Sequence, residues 1–296
     1  MDDRYAFKGR KNYCLPLLFL LPQLLITIIF FFYPAGEALL GSLFSQDAFG
    51  IETTFCGIDN FTTLFSDSGY LHTLFITIVF SLATILLTMS VSLLMAVVAD
   101  QIASGGMLYK SLLIIPYAVA PPLAGVLWLF LFNPSVGAIS SILEFFGYTW
   151  NHKLNGNEAL LLLVISASWK QISYNFLFFL AGLQAVPRSL IEAAAIDGAS
   201  PFQRFRNIIF PLLSPTTFFL LVVNTIYTLF ETFGIVHSVT QGGPARATEI
   251  MIYKVYNDGF LGADFGGSSA QSVVLMFIVM ILTFLQFRYV ERKVNY

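Results

Sequence analysis

Six runs of about twenty residues, nearly free of charged side chains, recur along this chain. A helix needs about 20 apolar residues to cross the ~30 Å hydrocarbon layer of a bilayer, and a soluble core has no use for that repeat. The spacing therefore predicts an all-α membrane protein with six spans, near 13–33, 72–99, 111–132, 159–183, 214–236 and 266–287, forming one domain over 1–296. Composition agrees: 57% of the 296 residues are hydrophobic and only 11% charged. A basic start before an apolar run also describes a signal peptide. The first run is long and no small-residue cleavage site follows it, so it reads as an uncleaved span.

The joins between spans carry the charge. Residues 34–71 form an acidic loop with Glu37, Asp47, Glu52, Asp59 and Asp67, and with neither Lys nor Arg. Asp100 to Lys110 is a short turn, 133–158 is polar, and 237–264 is a further loop. Pro116, Pro121 and Pro122 fall inside the third span, which predicts a kinked helix packed within a bundle. Arg4, Lys8, Arg10, Lys11, Lys110, Arg188, Arg204, Arg206, Arg288, Arg292 and Lys293 lie on one side of the six-span scheme; Lys153, Arg246 and Lys254 lie on the other. The positive-inside rule then places both termini in the cytoplasm.

The stretch from Pro187 to Pro215 stands on that cytoplasmic side. Ser189 and Glu192 have capping-box spacing, Ala193 to Ala195 favour helix, and Gly198 after Asp197 suits a helix stop. Ser200, Pro201 and Gln203 spell a second start. Phe202, Phe205 and Ile209 would share a face until Pro211 interrupts the pattern. Two short helices joined at a glycine corner are too short to persist unless they pack on something, and a partner protein is the expected something.

Glu192-Ala193-Ala194, Asp197-Gly198, Ile208 and Pro211 at this spacing resemble the coupling loop of permease subunits of bacterial binding-protein-dependent ABC importers. Phe210 departs from that pattern, standing where leucine is usual. Pro116 to Pro121, Trp169 to Phe176 and Gln286 to Glu291 extend the resemblance to the sugar-type members, and within them to the A-type permeases of sn-glycerol-3-phosphate importers. The resemblance implies that 187–213 docks on a cytoplasmic ATPase. It implies a core of this chain, a second non-identical permease and two ATPase subunits, fed by an external solute-binding protein. The expected cargo is sn-glycerol-3-phosphate or a related phosphodiester or sugar, and the expected location is the bacterial inner membrane. Gly242, Gly243 and Pro244 resemble the outer loop that meets the binding protein; a bare turn is the competing reading. For Glu192 the competing role is to serve its own capping box alone.

No catalysis is expected of the chain itself. It lacks a Gly-Lys dipeptide and so a P-loop, its three histidines lie apart, and no G-x-S-x-G occurs. ATP and magnesium would be bound by the partner ATPases, and no cofactor or metal by this chain. Nucleic acid is not expected, since no basic patch exceeds the inside-loop bias. An ion-coupled secondary transporter is the alternative reading, but it favours intramembrane acids, and only Glu231 lies within a span, near its outer end.

Lys170 is the other conspicuous residue. It lies about 16 Å along span four, near the bilayer midplane, where an ammonium must face the bundle or a water-filled cavity. With Tyr174 one turn on, and with Asn175, Asn224 and Glu231, it marks a candidate path for an anionic substrate. Pairing with backbone carbonyls, or with an acid of the partner permease, is the structural alternative.

Overall fold

The computed structural model describes residues 14–46, 53–101 and 106–290, with backbone alone at 14–17, 106–109 and 289–290. Arg4, Lys8, Arg10, Lys11, Asp47, Glu52, Glu291, Arg292 and Lys293 lie outside the described residues, as does part of the Asp100–Lys110 turn.

The first rod consists of α1 (Cys14–Thr27), a π-helical turn (Ile28–Phe32) and α2 (Tyr33–Gly41). It thus runs past the expected end near 33. Pro34 sits in the first turn of α2, where its missing N–H costs the helix little. Leu18–Gly41 is long and apolar enough to span, and none of its most apolar stretch is covered by the rest of the chain.

The 34–71 stretch is not an open acidic loop. After α2 come a hairpin of β1 (Phe44–Gln46) and β2 (Thr53–Phe55), with Phe44 opposite Phe55, and then α3 (Asp59–Ser66). Asn60 ties α3 to the hairpin by donating to the carbonyls of Ser42 at 2.9 Å and Phe44 at 3.0 Å. Two of the acids serve helix starts. Asp59 lies in the first turn of α3, and Asp67 accepts from the backbone of Gly69 and Tyr70 as α4 (Ser68–Gln101) begins.

α4 packs along α8 (Gly156–Ala185), and these two helices form the axis of the molecule. Thr73, Thr77, Thr84, Thr88, Ser92, Ala96 and Ala99 make a buried stripe of small side chains on α4. Such a stripe lets two helix backbones approach closely in an apolar medium. Around the axis lie two large clusters. One gathers Phe80, Leu163, Tyr227, Ile235 and Tyr253; the other gathers Phe176, Phe179, Leu180, Leu213 and Leu220.

The third span is broken rather than kinked. α5 (Gly106–Ile114) tightens into a 3-10 turn (Ile115–Ala118), and the chain then turns by 105° into α6 (Pro121–Leu131). Ala120 is extended, at φ −61° and ψ 142°. A residue before proline is pushed out of the helical region, so Pro121 ends one helix and starts the next. α6 then lies against α13 (Phe233–Val239) with a glycine on each side. A Cβ at Gly125 would meet Ser238 Oγ at 2.5 Å, and one at Gly234 would meet Pro122 at 2.9 Å.

Beyond α6, the polar 133–158 segment contains α7 (Ala138–Phe145). At the other end of α8 the chain bends by 65° into α9 (Arg188–Ile196). It returns through α10 (Pro201–Arg204), a π turn (Phe205–Ile209) and α11 (Phe210–Leu212), and bends again by 65° into α12 (Ser214–Ile226). A π turn (Tyr227–Glu231) joins α12 to α13.

The 237–264 segment is likewise more ordered than a loop. It holds α14 (Met251–Tyr256) and a π turn (Asn257–Leu261), because Ile250, Met251 and Tyr253 bury their side chains in the core. An apolar run that short shows no helical period in the sequence. α15 (Phe265–Leu285), extended by a π turn to Val290, closes the fold. Among the described residues three helices are singly long and apolar enough to span, and six spans result if each of three bent pairs counts as one. The architecture is all-α but for the small hairpin.

Candidate functional site

The hairpin between α8 and α12 stands largely exposed. Val186 and Pro187 are extended, so α8 stops at Ala185 and α9 opens directly behind the proline. The expected Ser189–Glu192 capping box does not form. Pro187 takes the N-cap position, which leaves Ser189 inside the first turn, where its hydroxyl cannot reach the free donors. The second box does form. Gln203 N–H donates to Ser200 Oγ at 3.3 Å, and the Ser200 N–H donates to Gln203 Oε1 at 2.8 Å.

Between them Gly198 has φ +85° and completes a Schellman turn. Ala199 N–H reaches the Ala194 carbonyl at 2.9 Å, and Gly198 N–H reaches that of Ala195 at 3.1 Å. A Cβ on Gly198 would touch nothing within 4 Å, so the backbone angle alone demands glycine there. Nor does Pro211 interrupt the second arm. The π turn before it sends the Phe210 N–H to the Phe205 carbonyl and shifts the register, so the helix runs on to Leu212.

The residues singled out here therefore divide in two. Glu192, Ala193, Asp197 and Gly198 are exposed, whereas Ala194, Ile208 and Pro211 are half-buried. Ile196, which the sequence pattern did not single out, and Phe202, placed there on one face with Phe205 and Ile209, present bare apolar side chains beside the corner, 87% and 69% exposed. On its inner side Glu192 lines a cavity of about 760 Å³ with Asp100, Lys110 and Arg188.

A second constellation lies in the helix axis. Lys170 is buried on α8, and its Nζ lies 4.9 Å from the centre of the Tyr117 ring and 6.0 Å from that of Tyr227. Tyr174 completes the group, its ring 5.3 Å from Tyr117, and the Tyr227 hydroxyl donates to the Ala167 carbonyl at 3.1 Å. Cation–π contacts cover the ammonium, and no ion pair reaches Lys170 among the described residues. Tyr117 comes from the broken third span, and no spacing in the sequence points to it.

Asn175 and Asn224 are also together, but facing each other. Each side-chain amide donates to the other, at 3.2 and 3.1 Å, and Asn224 also donates to the Leu220 carbonyl at 2.7 Å. This pair pins α8 to α12 and leaves little capacity for a solute. Glu231 is exposed at the end of its π turn, near enough for its charge to act on Lys170, Tyr174 and Tyr227.

The Gly242–Arg246 loop is clamped by its neighbours in the chain and by α4. The Gly242 N-terminal neighbour, Gln241, and then Ala245 and Arg246 all have positive φ, as does Gly242 itself at +81°. The Thr248 hydroxyl donates to the Gly243 carbonyl at 2.6 Å. Arg246 pairs with buried Glu249 at 2.7 Å, and Glu249 accepts from Thr73 of α4 at 3.0 Å. Gly242 is buried, with Tyr253 3.2 Å from where its Cβ would be. Of the three candidates it is the buried one, Gly243 and Pro244 are half-buried, and the exposed residues are Ala245 and Arg246.

Beside this loop, the 148–155 segment is held by Glu158. It accepts from the Tyr148 hydroxyl at 2.8 Å, from the Asn151 N–H at 2.5 Å and from the Asn155 amide at 3.0 Å. The Tyr148 bond holds that phenol above its usual range. The Trp150 indole N–H donates to His152 Nδ1 at 3.2 Å. Burial, helped by the charge of Lys153, pushes the His152 imidazole below its usual range, against a smaller opposing pull from Glu158.

Residues 105–296 match the family model described as binding-protein-dependent transport system inner membrane component. The sn-glycerol-3-phosphate transport system permease protein UgpA of Rhizobium meliloti (strain 1021) is 58% identical over 285 residues, covering 96% of this chain and 97% of that one. Its namesake from Escherichia coli (strain UTI89 / UPEC) is 55% identical over 295 residues, covering 100% and 99%. Among solved structures, a bacterial alginate ABC transporter in complex with an alginate pentasaccharide-bound periplasmic protein superposes with a TM-score of 0.79. The identity there is 21%, over 95% of this chain and 96% of that one, and it bears on the fold.

Proposed function

The chain belongs to the family of inner membrane components of binding-protein-dependent transport systems, and from that membership we propose that it is the permease subunit of an ATP-driven importer for sn-glycerol-3-phosphate. The observation that carries the substrate is the 58% identity, over nearly the whole of both chains, to a permease named for that compound. Membership in this family sets aside the ion-coupled alternative.

The chain works beside a second, non-identical permease and two cytoplasmic ATPase subunits, which hold the ATP and magnesium. The exposed corner of Glu192, Ala193, Asp197 and Gly198, with Ile196 and Phe202, meets the ATPase. Its arms are short, capped and bent 65° from α8 and α12, a shape suited to moving as a unit with those helices. Ile208 and Pro211 root the second arm. Both termini and this hairpin lie in the cytoplasm, and the loops around Gly243 and Lys153 face outward, toward a solute-binding protein. The periplasmic protein bound by the alginate transporter of the same fold supports that arrangement.

Lys170 receives the phosphate. In the resting chain its ammonium lies against two aromatic faces worth about 1 kcal/mol each, and a dianionic phosphate with charge-assisted bonds outcompetes them. Tyr117 and Tyr174 add hydroxyls beside it, whereas Asn175 and Asn224 pin the helices around the path. Glu231 stands at its outer end.

The test is reconstitution of the four-subunit complex in vesicles with ATP enclosed, together with the cognate binding protein. Labelled sn-glycerol-3-phosphate should accumulate, and enclosed ATP should be hydrolysed faster when loaded binding protein is outside. Accumulation of a neutral sugar with no response to glycerol-3-phosphate would overturn the substrate assignment.

A further inference from the structure

The short helix α7 (Ala138–Phe145) has three sides of different character. Ile139 and Leu143 pack on the cluster of Phe132, Trp150 and Leu162, and Ser140 beside them is buried. Ser141 and Glu144 make a second side, polar and exposed. On the third, Ile142, Phe145 and the capping Phe146 fall within about 100° of the helix circumference. They are 57%, 86% and 78% exposed. The core contact is made without them, so three large apolar side chains side by side mark a contact surface.

The join to the preceding helix indicates what lies against that surface. The Gly137 N–H donates to the Asn133 carbonyl at 2.8 Å, and a Cβ on Gly137 would meet the carbonyl of Leu131, the last residue of α6. The first residue of α7 is thus held at the end of the broken third span. α6 buries Ala124 and Gly125, the side by which it meets α13. Leu123, Val126, Leu127 and Phe130 lie opposite, at i, i+3, i+4 and i+7, and all four are exposed. The bare side of α7 therefore begins where a bare apolar side of a membrane span ends.

We propose that α7 is an interfacial anchor, lying in the outer leaflet with Ile142, Phe145 and Phe146 among the lipid chains and Ser141 and Glu144 toward the headgroups and water. The tether to Leu131 sets its depth, and its polar side gives it the amphipathic form that such a position needs. Glu144 is its one charged residue, and it has neither Lys nor Arg. Apolar burial holds it, not attraction to anionic headgroups. The inference rests on the third span crossing the membrane and is independent of the cargo.

The experiment uses the complete transporter, with its other cysteines replaced by serine, in phosphatidylcholine nanodiscs. Spin labels are attached one at a time to Ser141→Cys, Ile142→Cys, Glu144→Cys and Phe146→Cys. Collision with oxygen, which concentrates in lipid, is compared with collision with a water-soluble nickel chelate. The oxygen-to-nickel ratio at 142 and 146 should exceed that at 141 and 144 severalfold, and added phosphatidylglycerol should leave it unchanged. A nickel-dominated signal at 142 and 146 would put this side in water and overturn the anchor. Protection from both reagents would mean that a protein covers it, the second permease first among the candidates, and would overturn it equally. Phe145→Trp, which keeps the side apolar, gives a separate reading. Its added emission, taken as the difference from the wild-type complex, should be quenched by phosphatidylcholine brominated in the acyl chains; absence of quenching would also overturn the proposal.

Discussion

The Lys170 ammonium rests 4.9 Å from the centre of the Tyr117 ring, so a cation from the long axial helix is covered by a residue from the broken third span. Lys170→Gln removes the charge and keeps a hydrogen-bonding side chain of similar reach. Import of sn-glycerol-3-phosphate should fall at least tenfold, with the complex still assembled. Import at the wild-type rate would remove Lys170 from the path, and failure to assemble would make it a structural residue. Tyr117→Leu should keep assembly and shift the substrate dependence less, since one cation–π contact is worth about 1 kcal/mol.

At the hairpin corner the requirement is conformational. Gly198 has φ +85° and open space around it, so a substitution is judged by its backbone alone. Gly198→Asn should be nearly silent, because asparagine tolerates the left-handed region, whereas Gly198→Val should strain the turn by about 1–2 kcal/mol. Stimulated ATP hydrolysis in the reconstituted complex is the readout. Equal activity of the two variants would mean that the Schellman turn is not what the ATPase senses.

The reciprocal amide bonds of Asn175 and Asn224 make a stability prediction. Replacing either residue by leucine strands the other, and the double variant should be less damaged than the sum of the singles. A coupling of about 1 kcal/mol is expected from hydrogen bonds between membrane helices. Detergent-induced unfolding of the four proteins of the cycle measures it. Additive losses, or a double variant that folds normally but no longer transports, would place these amides in the path instead.

Outside the membrane, His152 should make the 148–155 segment sensitive to acid. Its pKa is lowered in the fold by burial, so the folded state binds the proton less readily than the unfolded one. Its contribution is present above the ordinary histidine range, near 6.5, and is lost as pH falls through the lowered value. Protonation also sets a donor on Nδ1 against the Trp150 donor. Protection of the 148–155 amides, relative to their intrinsic exchange rates, should therefore fall as pH drops below the ordinary histidine range in the wild type and respond less in His152→Gln. Identical pH profiles would exclude the imidazole as the cause.

Orientation is checked by reporter fusions. A fusion after Phe145 should report the external side, and one at Gly198 the cytoplasm, following the distribution of lysine and arginine. An external signal at Gly198 would separate the hairpin from any ATPase.

The class, the six apolar stretches and the hairpin were legible in the chain alone. Those depend on local signals: charge-free length, Gly198 at a helix stop, and the Ser200–Gln203 box. Where the local signals were ambiguous, neighbours along the chain decided. Pro187 took the cap that Ser189 seemed placed for, and a π turn carried the helix past Pro211. Only the tertiary structure could bring Tyr117 over Lys170, turn Asn175 and Asn224 toward each other, or bury Gly242 while exposing Ala245 and Arg246. The first two join residues far apart in the chain, and the packing of the Ile115–Ala118 turn and of α12 on α8 sets their distances. A sequence period reports which face of a helix is apolar; it carries no record of which other helix that face will meet.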